Sequence, residues 1–141
     1  MSYKYKNITP ANFKRFGKII EYPGLSKKNK KKNLFRIVLQ DAKAPGWRIA
    51  YLVVRDKLID RLEQHPGTFE SFEPIKGKAV LYVAGQKNAR KVESFLLDKP
   101  VILKKGIWHG IITKGKSAEV KITENAKVKC VYWRPERGFV V

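Results

Sequence analysis

The sequence predicts an all-β domain, an antiparallel barrel or sandwich with one short N-terminal helix. Short segments rich in β-branched and aromatic residues recur at intervals of about 8–12 residues, which is typical of these folds. Turn-forming residues separate the segments, and only residues 9–17 carry helix signals. The length of 141 residues fits a single domain spanning residues 1–141.

The helix prediction depends on residues at both of its ends. Thr9 can cap the N-terminus, Pro10 suits the first helical position, and Gly17 can end the helix in a left-handed conformation. Phe13 and Phe16 then share one face, which we expect to pack against the rest of the domain.

Eight strands are predicted after the helix, with residues 55–60 forming a turn or a single helical turn between the second and the third. The predicted strands are residues 34–39, 47–54, 79–83, 91–97, 100–103, 110–113, 118–122 and 128–133. Cys130, between apolar neighbours in the last of these, is interpreted as an inert small core residue.

The chain is strongly basic, with 31 Lys and Arg against 12 Asp and Glu and a net charge of +19. The one dense block, Lys27–Lys32, follows Pro23-Gly24, and we interpret it as a solvated loop. Nucleic-acid binding is the less favoured alternative, because no zinc-finger, RNP-type or helix-turn-helix pattern accompanies the charge. A positive field would also speed encounter with a small anionic substrate.

Cysteine content and hydropathy indicate a soluble, cytoplasmic protein. The single Cys excludes an intramolecular disulfide and fits a reducing compartment. No apolar run reaches the roughly 18 residues that cross a bilayer, so no membrane association is expected. The polar N-terminal residues lack a hydrophobic signal region.

Both histidines of the chain lie in short segments that resemble the two cupin motifs. His65 is followed after four residues by Glu70 and after six more by Gly77, which resembles the Gly-x5-His-x-His-x3–4-Glu-x6-Gly motif. Gly106 and His109 resemble the second motif, Pro-x-Gly-x2-His-x3-Asn. The departures from the motifs include Glu63 in place of the first His, Lys104 in place of the Pro and Thr113 in place of the Asn.

Within the cupins the chain resembles the ureidoglycolate lyase family, also described as ureidoglycolate hydrolase. The resemblance covers most of the chain in order, although this chain is shorter than the usual member. It is carried by residues 8–13, 16–21, 62–66, 72–77, 79–84 and 101–109. The family normally has Gln where this chain has Glu70, and this change adds a possible metal ligand.

The resemblance implies a cupin-type jelly-roll barrel, a homodimer, and cleavage of ureidoglycolate into urea and glyoxylate. This reaction requires a base for the substrate hydroxyl, for which His65 or Glu70 is suited. His109 or backbone donors could stabilise the developing negative oxygen. Lys76 or a metal ion could hold the substrate carboxylate. Tyr82 and Trp108 are the remaining candidates for substrate contact.

A metal site is a second expectation from the same residues. Glu63, His65, Glu70 and His109 provide two imidazoles and two carboxylates, a mixed set suited to Ni, Mn, Fe or Zn. Cupin metal sites commonly use three His and one Glu, so one ligand is altered here.

Each candidate also has a purely structural interpretation. His65 could be a turn histidine before a proline, and His109 a buried histidine at a strand end. Glu70 could face solvent on an alternating strand, whereas alternation from His65 places Glu63 on the same face as that histidine. In a chain rich in lysine, Lys76 is by default exposed.

Tyr82 and Trp108 also have a structural interpretation, because aromatic residues of these types pack in a core more often than they contact a substrate.

Three hypotheses for function remain open. The first is a lyase of the ureidoglycolate type, and the second is a cupin-fold protein with a different metal-dependent activity or none. The third is a polyanion-binding protein that uses the basic block.

Overall fold

In a computed structural model, residues 4–25 and 32–135 are described, and they form ten strands and one helix. The helix α1 is Pro10–Phe13. The strands are β1 (Gly17–Ile19), β2 (Arg48–Val54), β3 (Leu62–Gln64), β4 (Glu70–Lys76), β5 (Ala79–Ala84), β6 (Val92–Leu97), β7 (Val101–Leu103), β8 (Trp108–Thr113), β9 (Ala118–Glu124) and β10 (Val131–Trp133).

The strands form two five-stranded sheets with antiparallel pairing between neighbours. The first sheet has the order β1-β7-β4-β9-β2, and the second has the order β10-β3-β8-β5-β6. Between β2 and β9 the chain crosses repeatedly from one sheet to the other, so that each sheet contains four of these eight strands. This is the topology of a jelly roll. The predicted all-β jelly roll with one short helix is therefore confirmed.

The main core lies between the two sheets, where alternate residues of each strand meet. On β5, Leu81 and Val83 belong to this core, whereas Val80 and Tyr82 belong to a smaller cluster on the outer face of the second sheet. The odd-numbered residues of β5 therefore point into the barrel.

The helix is confirmed, but it is shorter than predicted and ends differently. Thr9 and Asn12 form a reciprocal capping box, and Phe13 and Phe16 both pack edge-to-face on Phe95. The prediction that Gly17 ends the helix in a left-handed conformation is wrong. Gly17 instead begins β1, where a Cβ atom would lie 1.9 Å from the carbonyl oxygen of Ile102, so only glycine allows this close approach.

The predicted strand at residues 34–39 is wrong, because these residues form no strand. Phe35 is 88% exposed, and side-chain hydrogen bonds hold the segment, with Lys18 donating to the Val38 carbonyl and Arg36 to that of Glu21. A strand-like composition does not make a strand without a partner strand for its backbone.

Three short or interrupted strands were not predicted: β1, β3 and β4. The last of these contains Pro74, next to which the register with β9 shifts, and proline within a run weakens a strand prediction. The other predicted strands are confirmed within a few residues at their ends. Residues 55–60 bend the chain without forming a helical turn, so the first of the two alternatives for this segment is confirmed.

Two further predictions concern Cys130 and the basic block Lys27–Lys32. Cys130 is exposed and lies just before β10, so its interpretation as a core residue is wrong. Residues 27–31 of the basic block lie outside the described residues. None of the described residues belongs to a helix long and apolar enough to cross a membrane.

Candidate metal centre

Four predicted site residues meet at one end of the barrel, and both sheets contribute to the set. Glu63 and His109 face each other across β3 and β8, and His65 follows β3 directly. Glu70 is the first residue of β4 in the other sheet. Like Val83, its register partner on β5, His109 points into the barrel.

The geometry is centred on one carboxylate oxygen. Oε2 of Glu70 lies 3.3 Å from Nε2 of His65 and 3.2 Å from Nε2 of His109. Glu63 is half-buried, with Oε1 3.5 Å from the same nitrogen of His109 and 3.9 Å from that of His65. The other three residues are buried.

Backbone carbonyls determine which ring nitrogen of each histidine carries a proton. Nδ1 of His109 lies 3.0 Å from the carbonyl oxygen of Ile107, and Nδ1 of His65 lies 3.3 Å from that of Lys129. A carbonyl oxygen only accepts, so each Nδ1 must donate. In the neutral rings, the Nε2 lone pairs therefore point at Glu70.

With neutral rings, three electron-pair donors thus face one another, an arrangement that a cation among them would stabilise. Ligand atoms of His65, Glu70 and His109 all lie within 4.8 Å of one another. Among the described residues, Glu70 Oε2 and His109 Nε2 are buried and have no hydrogen-bond partner. Ligands about 2.1 Å from an ion lie about 3.0–3.4 Å apart in octahedral or tetrahedral geometry, which matches the Glu70 contacts. The donor set therefore fits a divalent metal ion.

Charge within the cluster shifts the pKa values of its members. Burial works to lower the pKa of His65, but attraction to the negative carboxylate of Glu70 outweighs it and raises that pKa. The pKa of His109 is likewise raised, because Glu70 and Glu63 outweigh complete burial. The interaction with His109 lowers the pKa of Glu63 despite its own partial burial.

A cavity of about 320 Å³ opens beside this cluster. Glu63, Glu70 and His109 line it together with apolar side chains such as Phe72 and Ile122. The volume suits a small molecule, and the wall combines apolar surface with a few polar groups, as ligand pockets generally do.

The three predicted substrate contacts lie elsewhere. Lys76 is exposed at the far end of β4, six residues or about 20 Å from Glu70. Tyr82 belongs to the smaller apolar cluster on the outer face of the second sheet, and Trp108 packs against that cluster. Both therefore lie on the face opposite His109. Trp108 donates its indole N–H to the carbonyl of Gln86.

Two further groups close to the cluster were not predicted. Glu124, the last residue of β9, is buried, and Arg48 donates two hydrogen bonds to its Oε2 at 3.0 and 2.8 Å. Burial and the charge of Glu70 raise the pKa of Glu124, although Arg48 opposes this. The sequence pattern could have identified Glu124, because this residue continues the alternation that places Val120 and Ile122 inside the barrel.

Arg61 also lines the cavity, and its guanidinium lies 4.4 Å from the ring centroid of Tyr132. Arg61 precedes Glu63 and His65 at two-residue spacing, and this alternation could have placed it near the site. Cys130 contacts Tyr132, and its thiol raises the pKa of the Tyr132 phenol.

Solved structures that are similar to this chain include those of two bacterial proteins. One structure of Bacillus subtilis oxalate decarboxylase has a TM-score of 0.45 and 20% identity over 63% of this chain and 24% of that chain. Another, of the same enzyme and concerned with its Mn(II) centres, has a TM-score of 0.46 and 17% identity over the same shares. A cupin 2 domain-containing protein from Halorhodospira halophila has a TM-score of 0.47 and 18% identity over 67% and 61%.

The chain therefore spans about a quarter of the length of oxalate decarboxylase and about three-fifths of the Halorhodospira protein. No family model and no curated protein matches it. The fold assignment follows from the strand order and does not depend on these similarities.

Proposed function

We propose that this protein is a metal-dependent enzyme acting on a small anionic substrate, with a divalent ion held by His65, Glu70 and His109. The observation that carries the proposal is the convergence of three electron-pair donors, of which Glu70 Oε2 and His109 Nε2 are buried and find no hydrogen-bond partner in the part of the chain that the structure describes. Such buried groups are costly unless a cation satisfies them. When bound, the ion would supply Lewis-acid polarisation of a substrate oxygen.

The anionic character of the substrate is supported by Arg61. It lines the same cavity as Glu63, Glu70 and His109, and the planar guanidinium of an arginine matches a carboxylate in shape and charge. Lys76, to which this role was first assigned, lies too far along β4 to reach the cavity. The net charge of +19 would additionally attract an anion to the protein.

Ureidoglycolate is the specific substrate that we propose, on the basis of the sequence resemblance. If His65, Glu70 and His109 bind a metal, their Nε2 and Oε2 atoms are not free to act as bases. Glu63 lies beside them, and its lowered pKa keeps it ionised at neutral pH. It can therefore accept the hydroxyl proton of the substrate.

The proposed bond changes balance without an added oxidant or reductant. As the hydroxyl O–H bond breaks, its electron pair forms the carbonyl of glyoxylate. The C–N bond breaks, and its electron pair leaves on nitrogen, which takes up one proton to give urea. The proton transferred to Glu63 can supply the proton that nitrogen requires, so the residue acts first as base and then as acid.

Metal binding and turnover are tested separately. Metal-free protein is titrated with Mn²⁺, Co²⁺, Ni²⁺, Fe²⁺ or Zn²⁺ by calorimetry, and we expect one ion per chain. His109→Ala should weaken binding by at least about 100-fold, beyond the effect typical of losing an outer-shell partner. Trp108→Phe, the adjacent residue on the opposite face, is the matched control and should bind normally. Absence of binding by the unmodified protein would overturn the proposal.

Glyoxylate release from ureidoglycolate is then measured with the loaded protein. We expect turnover that is lost in Glu63→Gln, while that variant still binds the ion. Binding of the ion without glyoxylate release would disprove the ureidoglycolate assignment and would support a different metal-dependent activity on small carboxylates.

A further inference from the structure

A second group of potential ligands lies on the solvent side of the metal centre. Glu63, His65 and Cys130 offer ligand atoms that all lie within 4.8 Å of one another. The pairing of Tyr132 with Glu63 across β10 and β3, continued by two residues, places Cys130 opposite His65. We call these three residues the outer cluster and His65, Glu70 and His109 the inner cluster.

The two clusters share His65, which can serve only one of them at a time. Its Nδ1 faces the carbonyl oxygen of Lys129, so Nε2 is its one available lone pair. Glu63 belongs to the outer cluster and also lies beside the inner one, with Oε1 3.5 Å from Nε2 of His109 and 3.9 Å from Nε2 of His65. An ion in the outer cluster would therefore engage Glu63 and draw His65 away from the inner position.

The two donor sets differ in chemical softness. Two imidazoles and a carboxylate in the inner cluster accept ions such as Mn²⁺, whereas a thiolate with one imidazole and one carboxylate favours thiophilic ions. Cys130 is exposed, so an arriving ion can reach its sulfur from solvent. On ligation the thiol releases its proton to water and binds as thiolate.

We propose that the outer cluster is a second metal position, which takes thiophilic divalent ions such as Zn²⁺ or Cd²⁺ and is mutually exclusive with the inner position. The inference rests on the metal-binding part of the proposed function, because His65 belongs to both clusters. Since the outer ion engages Glu63, the proposed base, occupancy of this position would also stop turnover.

The test uses the fact that Cys130 is the one cysteine of the chain. Metal-free, reduced protein is titrated with Cd²⁺ or Co²⁺, and thiolate-to-metal charge-transfer absorption is recorded in the ultraviolet. We expect this absorption to saturate at one ion per chain and to be absent in Cys130→Ser. Because Cys130 is exposed, the substitution leaves the core intact, and Mn²⁺ binding by Cys130→Ser serves as the folding control.

Competition tests the exclusivity of the two positions. With Mn²⁺ bound, added Cd²⁺ should release it, which is followed by electron paramagnetic resonance of the free Mn²⁺. Release should require at least about tenfold more Cd²⁺ in Cys130→Ser, as expected when a strong ligand is lost. Simultaneous binding of both ions would overturn the exclusivity.

Two variants separate a built site from an isolated thiol. His65→Ala and Glu63→Gln retain Cys130 and should each lose saturation at one ion per chain. Unchanged charge-transfer titrations in both variants would overturn the outer cluster. Mn²⁺ binding without any charge-transfer band would disprove this inference alone, whereas binding of no ion at all would disprove the proposed function as well.

Discussion

Oε2 of Glu70 and Nε2 of His109 lie 3.2 Å apart inside the barrel, and within the described residues neither atom has a hydrogen-bond partner. The two residues come from different sheets, Glu70 from β4 and His109 from β8. Without a cation between them, a carboxylate oxygen would face an imidazole lone pair. A proton can occupy this position in the metal-free protein, and a metal ion can replace it.

Metal affinity should therefore rise with pH. The pKa values of His65 and His109 are raised above 6.5, so both rings hold protons at a pH where free histidine is neutral. Metal ions must displace these protons. Calorimetric titration with Mn²⁺ across this range should show affinity increasing until the raised pKa values are passed. Affinity independent of pH would contradict the prediction.

The stability of the metal-free protein should have the opposite pH dependence. Between 6.5 and the raised folded pKa values, the folded state binds more protons than the unfolded state. The stabilisation is complete below 6.5 and is lost as pH rises through the folded pKa values. Urea denaturation at several pH values should show this decline, and His109→Ala should flatten it.

Arg48 should contribute more to stability than an exposed arginine. It donates two hydrogen bonds to Glu124, whose side chain is only 6% exposed, so Arg48→Ala leaves a buried carboxylate without its counter-charge. We expect a loss of about 1–3 kcal/mol in the free energy of unfolding. Arg134→Ala is the matched control, because its 3.8 Å ion pair with Asp60 is exposed and should contribute less than about 1 kcal/mol. Equal losses would contradict the prediction.

Gly17→Ala should destabilise the protein through backbone contact. The added Cβ atom would lie 1.9 Å from the carbonyl oxygen of Ile102 and would force β1 away from β7. The expected cost is about 1–3 kcal/mol, as for other overpacked sites. Gly115→Ala is the control, because no atom lies within 4 Å of its Cβ position. Denaturant midpoints of the two variants provide the comparison.

Arg61→Gln should weaken binding of anionic ligands without affecting the metal. The loss of a charge-assisted hydrogen bond of about 1.5–3 kcal/mol corresponds to about 10–100-fold in affinity for glyoxylate. Arg55→Gln, at the start of the turn that precedes Arg61 and outside the cavity lining, should have little effect. Similar affinities in both variants, measured by calorimetry on metal-loaded protein, would show that Arg61 does not bind the anion.

The sequence predicted the fold better than the full site. Strands such as β5 and β9 could be recognised because burial imposes alternation or apolar runs on them. The segment at 34–39 has the same composition, but its failure to pair depends on the position of other strands, which local sequence does not encode. Gly17 shows the same limit, because its requirement comes from Ile102, which is distant in sequence.

For the site, motif spacing identified His65, Glu70 and His109 because each occupies a defined position on a strand or at its end. Spacing could not show that Trp108, adjacent to His109, points to the other face, since this needs the inward parity of β8. Cys130 was misassigned because its apolar neighbours imply burial only in a paired strand, and it lies just outside β10.

The origin of the inner cluster in both sheets has a mechanical consequence. A bound ion would be coordinated from β4 in one sheet and from β8 and the end of β3 in the other. It would therefore cross-link the two sheets. Its contribution would be linked to opening of the whole barrel and would grow with ion concentration. Removing the ion with a chelator would then lower the melting temperature of the whole domain, and probes on different strands would report the same decrease.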